Sequence, residues 1–162
     1  MSNLTHLPFE TPGQIYRSGM PFSYFDIGYT LLEEYRQAGI NTVVMLVSDE
    51  EARMKSGRDL RAAYQHRGMQ VIQLAIEDFD IPRDEPALQA ALQSAAQQAS
   101  LGSNLVVHCL AGLGRTGLFL GLLARSILGF PGEEAVAWVR RWVDGAVQTD
   151  AQKKFVIDFK ID

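Results

Sequence analysis

One stretch of nine residues limits the folds open to this chain more than any other. It is His108-Cys109-Leu110-Ala111-Gly112-Leu113-Gly114-Arg115-Thr116, set between the apolar run Leu105-Val106-Val107 and a long apolar helical pattern. A β-branched run that stops at a glycine-punctuated turn and passes at once into a helix is the strand–loop–helix unit of an α/β protein. In a parallel sheet such loops lie beyond the carboxyl ends of the strands, where ligands bind. The rest of the chain repeats the alternation. Apolar runs predict strands over residues 14–18, 41–47, 69–75 and 105–107, and helical periodicity predicts helices over 24–38, 50–66, 86–100, 115–128, 133–143 and 150–159. Gly39 closes the first helix as a left-handed cap, the second ends at Gly68, and Pro86 suits a first helical turn. Thr149 with Gln152 spells a capping box. The expectation is one α/β domain over residues 1–162, with a central, mostly parallel four- to five-stranded sheet flanked by helices on both faces.

Composition narrows the classes of partner. A chain with 47% hydrophobic and 21% charged residues can bury a core without staples, and its net charge of −4 comes with no basic arm or stripe. Nucleic acid and anionic membrane are therefore not expected partners. Residues 1–6 lack the basic start and apolar run of a secretory leader, and the most apolar stretch, 118–124, is too short to cross a bilayer. A single cysteine excludes an intramolecular disulfide and fits a reducing compartment. A cytoplasmic monomer is the expectation.

The nine-residue loop carries three features that belong together. A phosphate monoester is a compact dianion, and backbone N–H groups at a helix N-terminus suit its oxygens. Gly112 and Gly114 let the chain make the turn. Arg115 supplies a planar, permanently charged fork for two of those oxygens. Cys109 supplies the nucleophile; a free thiol titrates at about 8.5, and a helix N-terminus with nearby cations is a setting that can lower a thiol to ~3.5–7.5. Thr116 is placed to hydrogen-bond the thiolate, and His108 to order the loop, since a thiolate needs no base. Leu110, Ala111 and Leu113 complete the phosphate-binding loop. No metal or cofactor is called for.

Other readings of these residues are weaker. A lone cysteine is usually a small buried hydrophobe, but this one ends a core strand ahead of two glycines and an arginine. Gly112, Gly114 and Gly117 also match a dinucleotide fingerprint. That motif needs a second strand ending in an acidic residue about 20 residues on, whereas Pro131-Gly132-Glu133-Glu134 reads as a helix start. The nucleotide-binding G-x-x-x-x-G-K-[ST] pattern fails because Leu118 stands where lysine is required.

Attack on a phosphate ester expels an alkoxide or phenolate, which needs a proton. The loop Ile76-Glu77-Asp78-Phe79-Asp80-Ile81-Pro82 offers three carboxylates after the third predicted strand. Asp78 is the first choice as general acid and Asp80 the reserve, with Phe79 as a substrate contact. Gln148, just before the capping box, is placed to hold a hydrolytic water, although by itself it reads as an ordinary loop glutamine.

Together these residues resemble the protein tyrosine/dual-specificity phosphatase superfamily, whose signature H-C-x5-R-[ST] is met by His108 to Thr116. The likeness is closest to the kinase-associated phosphatase group. It runs over residues 41–159 and includes the Gly-Leu-Gly-Arg loop, a D-x-x-x-P pattern met by Asp78 and Pro82, and Gly145-Ala146-Val147-Gln148-Thr149 with Gln152 and Phe155. Tyr16-Arg17-Ser18-Gly19 followed by Pro21 is similar to the entrance segment of small microbial and plant members. The resemblance implies a cysteine-phosphatase fold and a two-step reaction through a phosphocysteine. It implies Asp78 as general acid, Gln148 orienting the hydrolytic water, and a phosphorylated protein or peptide as partner. The first 40 residues match less well, and no extended phosphotyrosine-recognition loop is seen, which implies a shallow pocket open to phosphoserine and phosphothreonine beside phosphotyrosine. Leu110 and Leu113 stand where phosphoinositide-directed members carry lysines, which disfavours a polyphosphorylated lipid or inositol. A small metabolite, an RNA 5′-phosphate, or a non-catalytic phospho-binding role are the alternatives.

Overall fold

The computed structural model describes residues 3–161, and in it strands and helices alternate along the chain. In order they are β1 (Leu4–Leu7), β2 (Ile15–Ser18), α1 (Leu31–Gln37), β3 (Ile40–Met45), α2 (Asp49–Ser56), α3 (Leu60–His66), β4 (Gln70–Gln73), α4 (Glu85–Ser100), β5 (Asn104–His108), α5 (Gly114–Leu128), α6 (Gly132–Trp142) and α7 (Asp150–Asp158). The five strands form one sheet in the order β1-β2-β5-β3-β4. The pairs β2–β5, β5–β3 and β3–β4 are parallel, and β1 lies antiparallel on the edge. Neighbouring residues of a strand face opposite ways, so the complete burial of Val43 beside Val44, and of Val106 beside Val107, shows that both faces are covered. Helices α4 to α7 pack on one another in one group, while α1 and α3 meet through Tyr35 and Tyr64, whose rings lie 6.3 Å apart.

Register places the site. Ser18, His108 and Met45 are partners across β2, β5 and β3, so these strands end level. Whatever follows His108 therefore leaves the middle of the sheet at its carboxyl edge. The amide of Leu46 donates to His108 O at 3.0 Å, and that of Met20 to Leu110 O at 2.9 Å, stitching both neighbours to the outgoing loop.

Several predicted elements change shape. The single helix expected over 24–38 is a turn-rich segment, one 3-10 turn (Ile27–Tyr29) and the short α1. The cause is Asp26, which is buried and accepts from the amides of Phe22, Thr30 and Leu31, so its side chain organises a loop in place of a helix. The helix expected over 50–66 is two helices, because Gly57 takes a left-handed cap (φ 72°) and Asp59 then caps α3 by accepting from Ala62 N. The strand expected over 69–75 shortens to β4, and that over 41–47 is β3. Strand β1 is an addition that the sequence pattern did not announce. It is four residues long and becomes a strand through β2, with His6 opposite Tyr16 and their rings 5.3 Å apart. The capping box at Thr149 and Gln152 is formed as predicted. Among the described residues no helix is long and apolar enough to cross a membrane.

Candidate active site

The loop after β5 has its six successive carbonyls, from His108 to Leu113, all held. Leu46 N reaches His108 O, His108 Nδ1 reaches Cys109 O, and Met20 N reaches Leu110 O. Arg17 donates to Ala111 O at 2.9 Å and to Gly112 O at 2.8 and 3.0 Å. Leu113 O accepts from Gly117 N and Val147 N. A trans peptide sets each N–H opposite the preceding C=O. Carbonyls tied from outside thus turn the following amides inward, and among the described residues none of the amides of 110–116 donates to a protein acceptor. These donors converge at the N-terminus of the fifteen-residue α5, an arrangement suited to a multiply charged oxyanion.

The glycines serve this geometry. Gly112 has φ 78°, and a Cβ there would overlap the Arg17 guanidinium and Ser18 O. A Cβ on Gly114 would fall 2.5 Å from Gln148 Oε1, and one on Gly117 would fall 2.6 Å from Val147 N. Each glycine of the apparent dinucleotide pattern is thus explained by close approach of protein.

Cys109 is buried at the head of the loop, and His108 lies wholly buried beneath it. A carbonyl can only accept, so His108 Nδ1 carries the proton bonded to Cys109 O (2.9 Å). Nε2 is left to accept from Tyr64 Oη at 2.7 Å. Burial first, with Arg115 adding to it, pushes the His108 imidazole down to about 4 against the opposing pull of the Cys109 carbonyl. His108 is neutral at working pH and holds the loop.

Arg115 is almost fully buried, and its donors can be counted. Its Nη1 and Nη2 meet Glu51 Oε1 and Oε2 at 2.9 Å each, and Nη1 also reaches Ile76 O at 2.8 Å. Asp78 Oδ1 stands 3.1 Å from Nη2. Burial opposes the positive charge, but the Glu51 hydrogen bonds, together with Cys109 and Asp78, outweigh it and raise the guanidinium above its ordinary value. The Nε atom has no partner among the described residues. Glu51 takes the Nη1–Nη2 end of the fork, so on the remaining edge Nε is open and Nη2 stands beside Asp78. On the next residue, Thr116 Oγ1 is likewise buried and unpartnered, so the expected hydrogen bond to the Cys109 sulfur is not made. Arg115 and Thr116 thus carry buried polar atoms without a partner, as does Thr42 in β3, each at a cost of roughly 1–3 kcal/mol unless another group meets it.

The acid loop distinguishes its carboxylates. Asp80 accepts from Ile81 N at 2.8 Å and from Arg83 at 2.8 Å, and these contacts hold it below the usual carboxylate range. Asp80 is committed elsewhere as an anion, whereas Asp78 abuts Arg115 and Glu77 is exposed. Phe79 stands 61% exposed in the left-handed region (φ 62°), with its amide donating to Asp78 Oδ1. On the other side, Phe79, Gly145, Val147 and Gln148 line a groove of about 650 Å³. The exposed Gln148 lies over Gly114. Gln152, fully buried, accepts from the amides of Gln148 and Thr149 and donates through Nε2 to Asp80 O at 3.1 Å. Leu110, Ala111 and Leu113 are half-buried, and the two leucines pack against the core.

Three residues that sequence reasoning left unassigned belong here: Glu51, Tyr64 and Arg17. Glu51 follows Ser48 in an S-x-x-E capping pattern, a sufficient local explanation, and Ser48 Oγ does accept from its amide. A carboxylate just beyond β3, the strand beside β5, was the signal available. Arg17 stood only within a resembling segment, and nothing in the sequence tied Tyr64 to His108.

Residues 26–128 match a family model described as a polymorphic toxin system DSP-PTPase phosphatase. The fold is similar to that of kinase associated phosphatase (KAP) with its catalytic-site cysteine replaced by serine, at 19% identity over 94% of this chain and 90% of that one, TM-score 0.84. Tk-PTP in its active form shares 27% identity over 93% and 92% of the two chains, TM-score 0.75. PTPMT1 in complex with PI(5)P shares 15% identity over 97% and 94%, TM-score 0.70.

Proposed function

Because the chain belongs to the DSP-PTPase phosphatase family, within the dual-specificity phosphatase superfamily, we propose that it hydrolyses phosphate monoesters on proteins through a phosphocysteine intermediate. Phosphotyrosine is the first substrate, with phosphoserine and phosphothreonine admitted. The observation that carries this reading is the ring of unpaired amides at 110–116, set beside Cys109 and the unpartnered Nε of Arg115.

In the first step the Cys109 thiolate attacks phosphorus in line, the P–O ester bond breaks, and protonated Asp78 gives its proton to the leaving oxygen. In the second, a water held by Gln148 attacks the phosphocysteine, Asp78 takes its proton, and the S–P bond breaks to return the thiolate and release phosphate. The loop amides and Arg115 hold the equatorial oxygens in both steps, the largest expected contribution to rate. Asp78 moves from its place against Arg115 as the phosphate takes the Nε–Nη2 edge.

The surroundings support a singly phosphorylated protein group. Glu50, Glu51, Glu77 and Asp78, with Lys55, line a cleft of about 340 Å³ on one side, and such a wall repels further phosphates. On the other side exposed Phe79 offers an aromatic face for a tyrosine ring, at a groove otherwise lined by Arg140, Asp144 and Gln148 among others. PTPMT1, which was solved with PI(5)P, shares the fold, so a lipid or small phosphorylated metabolite is the second reading. Rates with a phosphotyrosyl peptide, a phosphothreonyl peptide, PI(5)P and simple sugar phosphates separate the two. The proposal expects kcat/KM highest for the phosphotyrosyl peptide, and a preference for PI(5)P or a sugar phosphate overturns it.

A further inference from the structure

We propose that Arg17 is a positioning residue of the phosphatase reaction, its planar fork setting the two peptide units that aim the Gly112 and Leu113 amides at the phosphate. The inference rests on the phosphatase reading and adds to it a residue outside the signature loop.

Arg17 lies near the end of β2, the strand paired with β5, opposite Val107. Its side chain spans to the catalytic loop and makes three hydrogen bonds there, from Nε and Nη2 to Gly112 O and from Nη2 to Ala111 O. The other loop carbonyls are held by backbone amides or by His108, whose own place is fixed in β5. Ala111 and Gly112 alone depend on a side chain from another strand. Their peptide planes carry the Gly112 and Leu113 N–H groups, so the orientation of two phosphate donors rests on one guanidinium.

Two further observations fit this role. Gly112 lacks a Cβ where the Arg17 guanidinium passes, so the loop and the arginine occupy a shared notch. Among the described residues Arg17 makes no carboxylate ion pair. Burial pushes its guanidinium below the ordinary value, and Cys109 is foremost among the groups that offset this. Arg17 is thus half-buried with no acid to balance it among those residues, and its charge stands behind the loop, on the carbonyl side, within electrostatic reach of Cys109.

The test uses Arg17→Met and Arg17→Lys beside the wild type. Each protein is checked for folding by circular dichroism and thermal melting. Three quantities are then read: turnover of p-nitrophenyl phosphate, affinity for tungstate as an oxyanion probe, and the pH midpoint for alkylation of Cys109 by iodoacetamide. For Arg17→Met the expected results are a loss of about 10²-fold or more in kcat/KM, tungstate binding weaker by at least about tenfold, and an alkylation midpoint moved upward. Arg17→Lys keeps a charge without the fork, and it is expected to restore the midpoint but not the tungstate affinity. A folded Arg17→Met protein with wild-type tungstate affinity and wild-type midpoint overturns the proposal. Should Arg17→Met fail to fold, Arg17→Lys decides alone, since wild-type tungstate affinity and kcat there overturn it. If the wild type turns over no substrate, the phosphatase reading fails, while tungstate binding and alkylation still judge Arg17.

Discussion

Arg115 is gripped at both Nη atoms and left open at Nε, and that asymmetry says how it works. Glu51 grips the end of its fork, Ile76 O adds a third contact, and Asp78 rests near the edge that is left. Glu51→Gln keeps the shape and removes the charge, so the fork loses its fixed orientation. We expect kcat/KM with p-nitrophenyl phosphate to fall by about tenfold to a hundredfold, since small misplacements of a clamp are that costly. Cys109→Ser is expected to abolish turnover, and near wild-type rates would remove the nucleophile assignment. For Asp78→Asn the expected loss is about 10²–10⁴ with phosphopeptides. If Asp80→Asn instead gave that loss, with Asp78→Asn silent, the acid assignment would be wrong. At this scale the sequence showed the residues that lie close together in the chain. Cys109 and Arg115 were legible because a loop and a helix start fix their spacing. Glu51 and Tyr64 were not, because each comes from a remote segment and each looks locally complete.

Among the elements, the loop between β5 and α5 is shaped by its neighbours as much as by its own residues. Gly112 shows this, since both its φ of 78° and its lack of a Cβ are needed. Gly112→Ala is expected to destabilise the protein by about 1–3 kcal/mol or more in urea unfolding. It is also expected to lower kcat/KM further than the stability loss explains, because Arg17 and the loop must part. Wild-type activity in that variant would contradict the packing described. The order of strands and helices was legible from apolar runs and periodicity, and so was the capping box at Thr149. The breaks inside two predicted helices were not. At Gly57 and Asp59 the cap signals were present but were overruled by the continuing apolar pattern. At Asp26 a single carboxylate gathers three amides, which periodicity does not reveal.

For the molecule as a whole, burying His108 neutral couples stability to pH. Its imidazole titrates near 4 in the folded protein and near 6.5 when unfolded, so between these values the unfolded chain binds more protons. Stability from this group is fully present above about pH 6.5 and is lost as pH falls toward 4, a change of about 3 kcal/mol. The melting temperature should fall over that window, and His108→Gln should flatten the fall. An unchanged slope in the variant would assign the effect to other groups. The single cysteine makes another whole-chain prediction. Peroxide should inactivate the enzyme without forming an internal disulfide, leaving sulfur oxyacids or a cyclic sulfenamide for mass spectrometry to identify.

Gln152 joins two parts of the molecule that the proposed reaction uses in turn. One end of its amide holds the backbone at Gln148 and Thr149, and the other holds Asp80 O two residues beyond the acid. The loop proposed to deliver a proton and the loop proposed to steady water are therefore tied to one buried side chain. A change at residue 152 is thus felt on both sides of the cleft at once, however far either loop stands from it in the chain.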